Sequence, residues 1–247
     1  MVNAQLVETS NAELNAIPKK LKFVMFISYC GTKYYGMQVN KDIPTIEKMM
    51  LDALLKRKLI TTDERHQPSL FRFQRAARTD KGVSAVRQLC SMFLPLTEAQ
   101  CSVAVNELNE FLPEDIRIMD MMRVTRTFDA KKWCFCRTYI YTLPSIAFTP
   151  SEDVAFLLVF SREQLKKVNH LLCAEPFIMN GIEFLNIEIQ GQSFMLHQIR
   201  KMVGKHSVLF FHSFIFDSVS KVCVSPLCVV IWTKPLCQKL GCLRGCV

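Results

Sequence analysis

Between Arg75 and Ala85 the chain reads Arg-Ala-Ala-Arg-Thr-Asp-Lys-Gly-Val-Ser-Ala, and five consecutive residues, 78–82, hold an arginine, a hydroxyl, a carboxylate and a glycine. Gly82 can adopt backbone angles closed to other residues, so a sharp turn there leaves the Asp80 carboxylate at a loop tip. Such a carboxylate can attack an electrophilic carbon or stabilise positive charge that develops on it. Arg78 can hold a phosphate through paired hydrogen bonds while Asp80 faces the reacting centre. On spacing alone, an ordinary turn carrying a surface Arg–Asp pair fits these residues as well.

Other elements must present this loop. Residues 70–75 read as a strand leading into it, and the apolar run 88–94 leads away. Residues 21–29, LKFVMFISY, are apolar and β-rich, the pattern of a buried strand. They pass into a loop punctuated by Gly31 and Gly36. Thr45 is placed to cap a helix whose buried stripe is Ile46, Met49, Met50, Ala53 and Leu54. Residues 61–69 read as a polar loop. Thr97 and Gln100 form a capping-box pair before Val103, Val105, Leu108 and Phe111, and residues 116–124 read as a strand. Residues 137–143 alternate as a strand that puts Tyr139 and Tyr141 on one face, an arrangement equally suited to sheet packing. Ser161 with Gln164 is expected to cap a helix over 162–172, and residues 182–190 to form a strand. Met195, Ile199, Met202 and Val203 then recur at helical spacing, with His197, Arg200 and Lys201 on the opposite flank.

Three of these stretches carry a resemblance. ARTDKGVSA at 77–85 resembles the active-site loop of the TruA family of tRNA pseudouridine synthases, in its eukaryotic form. FDA-x3-C-x2-RTYIY from Phe128, and GQSFMLHQIRKMVG from Gly191 to Gly204, are similar to two further motifs of that family, in family order. The loop after the first strand is also similar, with Met37 where the family usually has Trp. The resemblance spans about residues 21–204 and implies isomerisation of specific uridines in tRNA to pseudouridine. It implies Asp80 as the catalytic nucleophile, Tyr139 against the target base, and Arg200 paired with the aspartate. Arg78, Lys81, Arg75, Arg87, His197 and Lys201 become candidates for gripping RNA. No cofactor or metal is implied. The expected partner is tRNA, with other structured RNA as a further candidate. The fold it implies is α+β: two mixed β-sheet subdomains flanked by helices around a basic central cleft.

The chain departs from the family twice. A segment that the family carries after the helix expected at 162–172 is absent, Cys173 running directly into Ala174. Beyond Gly204 nothing matches, and residues 205–247 hold five cysteines and five basic residues to one acidic. The expected organisation is a flexible lead-in at 1–20, an N-terminal subdomain at 21–125, an incomplete C-terminal subdomain at 126–204 and a Cys-rich tail at 205–247. An alternative reading follows, in which the chain is a catalytically impaired RNA-binding or unstable variant.

Composition sets outer bounds. Half of the 247 residues are hydrophobic and 21% charged, a globular composition. A formal net charge of +9 favours polyanions. Residues 1–20 have no apolar signal segment, and an odd count of eleven cysteines without a secretion signal points to reduced thiols, so a nuclear or cytoplasmic location is expected, with no membrane association. The lack of any CxxC pair argues against a structural zinc site.

Overall fold

The computed structural model describes residues 20–145, 168–195, 197–200 and 202–203. Strand β1 (Leu21–Tyr29) lies inside a four-stranded sheet of order β2-β3-β1-β4, where β2 is Gln74–Arg75, β3 Ala85–Leu94 and β4 Ile116–Arg123. Its apolar run has no polar face because both faces are covered. Phe23, Met25 and Ile27 pack with helices α1 (Ile46–Lys56) and α3 (Cys101–Phe111). Val24 and Phe26 pack with Leu89, Val124, Phe128 and Ala130 on the other side. Each such side chain contributes roughly 1.5–3 kcal/mol when fully buried, so the central position of β1 is strongly determined.

Two of the caps expected from the sequence are present. The Thr45 hydroxyl accepts from Lys48 N at the start of α1, and Thr97 with Gln100 forms a capping box before α3. Two local readings are corrected. Residues 61–69 are not a loop: Thr61 and Glu64 form a capping box on the short helix α2 (Thr62–His66), followed by a 3-10 turn at Pro68–Phe71. Residues 70–75 are accordingly not one strand. The chain leaves the 3-10 turn through Arg72 at φ 50°, and only β2 is extended.

The second sheet comprises β5 (Arg137–Pro144), β6 (Val168–Cys173), β7 (Phe177–Met179) and β8 (Ile182–Gly191). Phe184 of β8 pairs with Pro144 of β5 on one side and Phe177 of β7 on the other. β6 and β7 therefore form one interrupted edge strand along β8, broken where Pro176 lacks a donor. Asn180 and Gly181, with φ 52° and 75°, turn the chain back into β8 as a two-residue hairpin. Residues 168–172, expected as helix, are strand because β8 offers them a ladder. The proposed Ser161–Gln164 cap lies outside the described residues. The sheets, expected to be mixed, are antiparallel throughout.

The join at Cys173–Ala174 falls inside the β6–β7 edge, and Ala174 N still donates to Asn186 O of β8 at 2.9 Å. One core cluster runs through both sheets, from Phe23 and Leu108 to Tyr139, Ile187, Ile189 and Ile199. Among the described residues no helix is long and apolar enough to cross a membrane.

Candidate active site

The loop between β2 and β3 is held along its length. The Gln88 side chain, fully buried, accepts from Ala77 N (3.2 Å) and donates to Ala77 O (2.9 Å). Arg137 at the start of β5 donates through Nε to Ala76 O at 3.1 Å. Thr79 shares a buried 2.8 Å hydrogen bond with the Tyr29 hydroxyl, and its carbonyl accepts from Met37 N at 3.0 Å. Gly82, at φ 76°, donates to Tyr34 O.

Two glycines of the 30–38 loop permit this contact. A Cβ on Gly31 would sit 1.9 Å from Val83 O, and one on Gly36 would sit 2.6 Å from Thr79 O. The Asp80 side chain emerges from this clamp one quarter exposed.

Opposite Asp80 stand β5 and the chain following β8. A cavity of about 250 Å3 lies between them, lined by Arg78, Asp80, Tyr139, Phe194, His197 and Arg200 among others. Tyr139 and Phe194 meet edge to face, with ring centroids 5.0 Å apart. His197 Nδ1 lies 2.9 Å from Asp80 Oδ2, its backbone held at φ 56°. Arg200 donates instead to Lys81 O at 2.6 Å. The expected Arg200–Asp80 contact is thus replaced: His197 meets the carboxylate, and Arg200, three residues on, clasps the loop one residue past it.

The other candidates divide. Arg78 is exposed and lines the cavity. Lys81 lies over the Tyr35 ring at 4.1 Å. Arg75 is committed to an ion pair with the buried Glu47. Arg87 sits over the Phe26 ring. Lys201 lies outside the described residues. Tyr141, read as core, also lines the cavity. Phe194, Gln88 and Arg137 escaped the sequence reading. Phe194 and Arg137 sit inside the quoted motifs, whereas Gln88 stands out only as a polar residue in an apolar run.

Chemically, this is a carboxylate facing an aromatic-walled cavity with cations at its rim. It can admit a planar base, hold an attached phosphate and act on the carbon beside the base.

No family model matches the chain. A mouse pseudouridylate synthase 1 homolog is 36% identical over 226 residues, 76% of this chain and 52% of that protein. The human protein of the same name is 36% identical over 73% of this chain and 50% of that protein. A tRNA pseudouridine synthase 1 from Saccharomyces cerevisiae is 39% identical over 53% of this chain and 24% of its own length. Among solved structures, an unknown protein from Galdieria sulphuraria aligns at a TM-score of 0.25 and 12% identity, over 78% of this chain and 94% of that one. The chain spans about half the length of the first two relatives. By sequence, the chain is a homologue of proteins named pseudouridylate synthase 1 homolog and tRNA pseudouridine synthase 1, of the TruA family.

Proposed function

We propose that this chain isomerises uridine in tRNA to pseudouridine with Asp80 as the catalytic carboxylate. The observation that supports this reading is that Asp80 and Tyr139 line one cavity, with Asp80 on a loop clamped from three sides. The reaction breaks the bond from uracil N1 to sugar C1′ and forms one from C5 to C1′. The C5 proton leaves and N1 gains one, so nothing is oxidised and no redox partner is needed. The target base leaves its stack to enter the cavity, at a cost of a few kcal/mol. Tyr139 and Phe194 supply a surface for it, and Arg78 with Lys81 supplies positive charge for the displaced backbone.

Asp80 then attacks C1′ or stabilises charge there. His197 holds the carboxylate's rotamer and yields to the sugar when substrate enters. Tyr139, which lines the same cavity, takes the C5 proton in this reading. Other structured RNA is a further candidate substrate.

A second reading, an RNA-binding chain that turns over poorly, is favoured by the β6–β7 edge at the Cys173–Ala174 join. There Leu172 is 50% and Ile178 76% exposed. Single-turnover tritium release from tRNA labelled at uridine C5 separates the two. Conversion at a defined uridine, lost in Asp80→Asn with tRNA binding retained, is expected. Residual turnover within about tenfold of wild type, ~1.4 kcal/mol of barrier, refutes the role of Asp80. Binding without conversion in the wild type establishes the second reading.

A further inference from the structure

A second cavity, of about 240 Å3, adjoins the first and shares Arg78, Tyr139 and Phe194 with it as a common wall. Its remaining lining includes Arg75, Lys131, Arg137 and Ser193, and no acidic residue. The four cations are not equivalent. Arg75 is neutralised by Glu47. Arg137 donates to the carbonyls of Ala76 and Gln192, which orient the guanidinium but leave its positive charge uncompensated. Arg78 and Lys131 make no ion pair among the described residues.

Lys131 is also presented by a built turn. The Asp129 carboxylate accepts from Lys131 N at 2.9 Å and Lys132 N at 3.1 Å, and Trp133 N donates to Asp129 O at 2.9 Å. The Asp129 carboxylate is thereby engaged with the backbone and does not line the cavity.

Two cavities on either side of one aromatic and cationic wall suit two consecutive nucleotides of one strand. We infer that the second cavity binds the nucleotide flanking the target uridine. Arg78 takes the phosphodiester that links the two, and Lys131 with Arg137 takes the charge of the next one. The inference rests on the function proposed above, because a flanking nucleotide requires a target in the first cavity. It adds a site that would read neighbouring residues of the RNA. Arg137 then has two tasks, tying the catalytic loop to β5 and lending its charge to the strand beside the target. Ser193 lines the same space and offers a hydroxyl to the flanking base.

The test is fluorescence anisotropy with end-labelled, unfractionated tRNA, run on the full chain at several salt concentrations. Three variants are compared with wild type: Lys131→Gln, Ser193→Phe to fill the cavity, and Lys56→Gln as a surface control outside both cavities. Lys131→Gln is expected to weaken binding by about fivefold and to reduce the salt slope by about 1, with Lys56→Gln within about twofold of wild type. Ser193→Phe is expected to weaken binding by about as much.

If wild type binds tRNA and releases tritium while Lys131→Gln behaves like Lys56→Gln, the flanking site is overturned and the proposed function stands. A Ser193→Phe protein that binds as wild type overturns the site in the same way. If Ser193→Phe fails to fold, Lys131→Gln alone decides. A wild-type protein that binds no tRNA overturns both readings together.

Discussion

Gly36→Ala should impair the reaction through a residue that never touches substrate. Gly36 has φ 100°, and its added Cβ would stand 2.6 Å from Thr79 O and 3.3 Å from the Asp80 carbonyl carbon. Ordinary contact begins near 3.4 Å, so the two backbones must part by about 0.8 Å, and the atoms in the way are those that carry Asp80. Since a displacement of ~1 Å costs about a hundredfold in rate, ~0.8 Å corresponds to roughly fortyfold, or ~2 kcal/mol of barrier. Folding stability should fall as well, by roughly 1–3 kcal/mol for an alanine held at that φ.

The assay is single-turnover tritium release from uridine-labelled tRNA, with a urea unfolding curve on the same preparation. Gly181→Ala is the control: its φ is 75° but nothing lies within 4 Å of the new Cβ. It should lose about 1 kcal/mol of stability and none of the rate. A folded Gly36→Ala protein that reacts at the wild-type rate refutes the idea that the 30–38 loop sets the position of Asp80. Equal rate losses in the two variants refute it equally.

Gln88→Leu should lose about 2–4 kcal/mol, because Ala77 N and O are both left unpaired inside the protein; a urea-derived loss under about 0.5 kcal/mol contradicts the clamp. Lys22 is 3% exposed, and burial, offset in part by Asp129 and reinforced by Arg72, lowers its ammonium from the ordinary 10.5 to about 8. Between those values the unfolded chain holds a proton that the folded chain has released. This group's contribution to stability therefore rises with pH across that window and is lost as pH falls through about 8. Lys22→Met should remove that rise and stabilise the protein by roughly 1–3 kcal/mol at pH 7. Parallel stability curves for wild type and variant from pH 7 to 10 contradict the assignment.

Much of this protein is legible locally. The unbroken apolar run of β1, the Thr45 cap of α1, the Thr97–Gln100 capping box and the alternation of β5 all state their structure within a few residues. So does the loop around Asp80, because Gly82 and the residue types beside it are meaningful at that spacing alone. Two further signals are equally local: the Thr61–Glu64 capping box, and Asn180-Gly181 between two apolar runs. That turn pairs β7 with β8 as a hairpin, where a helix followed by a strand is the expectation.

The remainder depended on residues far apart in the chain. His197 meets Asp80 across 117 positions, and Arg137 reaches Ala76 across 61. Residue types allow either His197 or Arg200 to meet the carboxylate. The left-handed backbone at His197, set by how the chain leaves β8 against the loop, selects the histidine. Likewise, the sequence counts the cations, but only the packed structure determines which are neutralised. Arg75 is paired because α1 brings Glu47 to it, and Arg78 stays free because no acidic group among the described residues forms an ion pair with it. Periodicity and capping act over a few residues and are written in the chain. The partners of a charge are set by tertiary packing, because only folding brings distant groups within bonding distance.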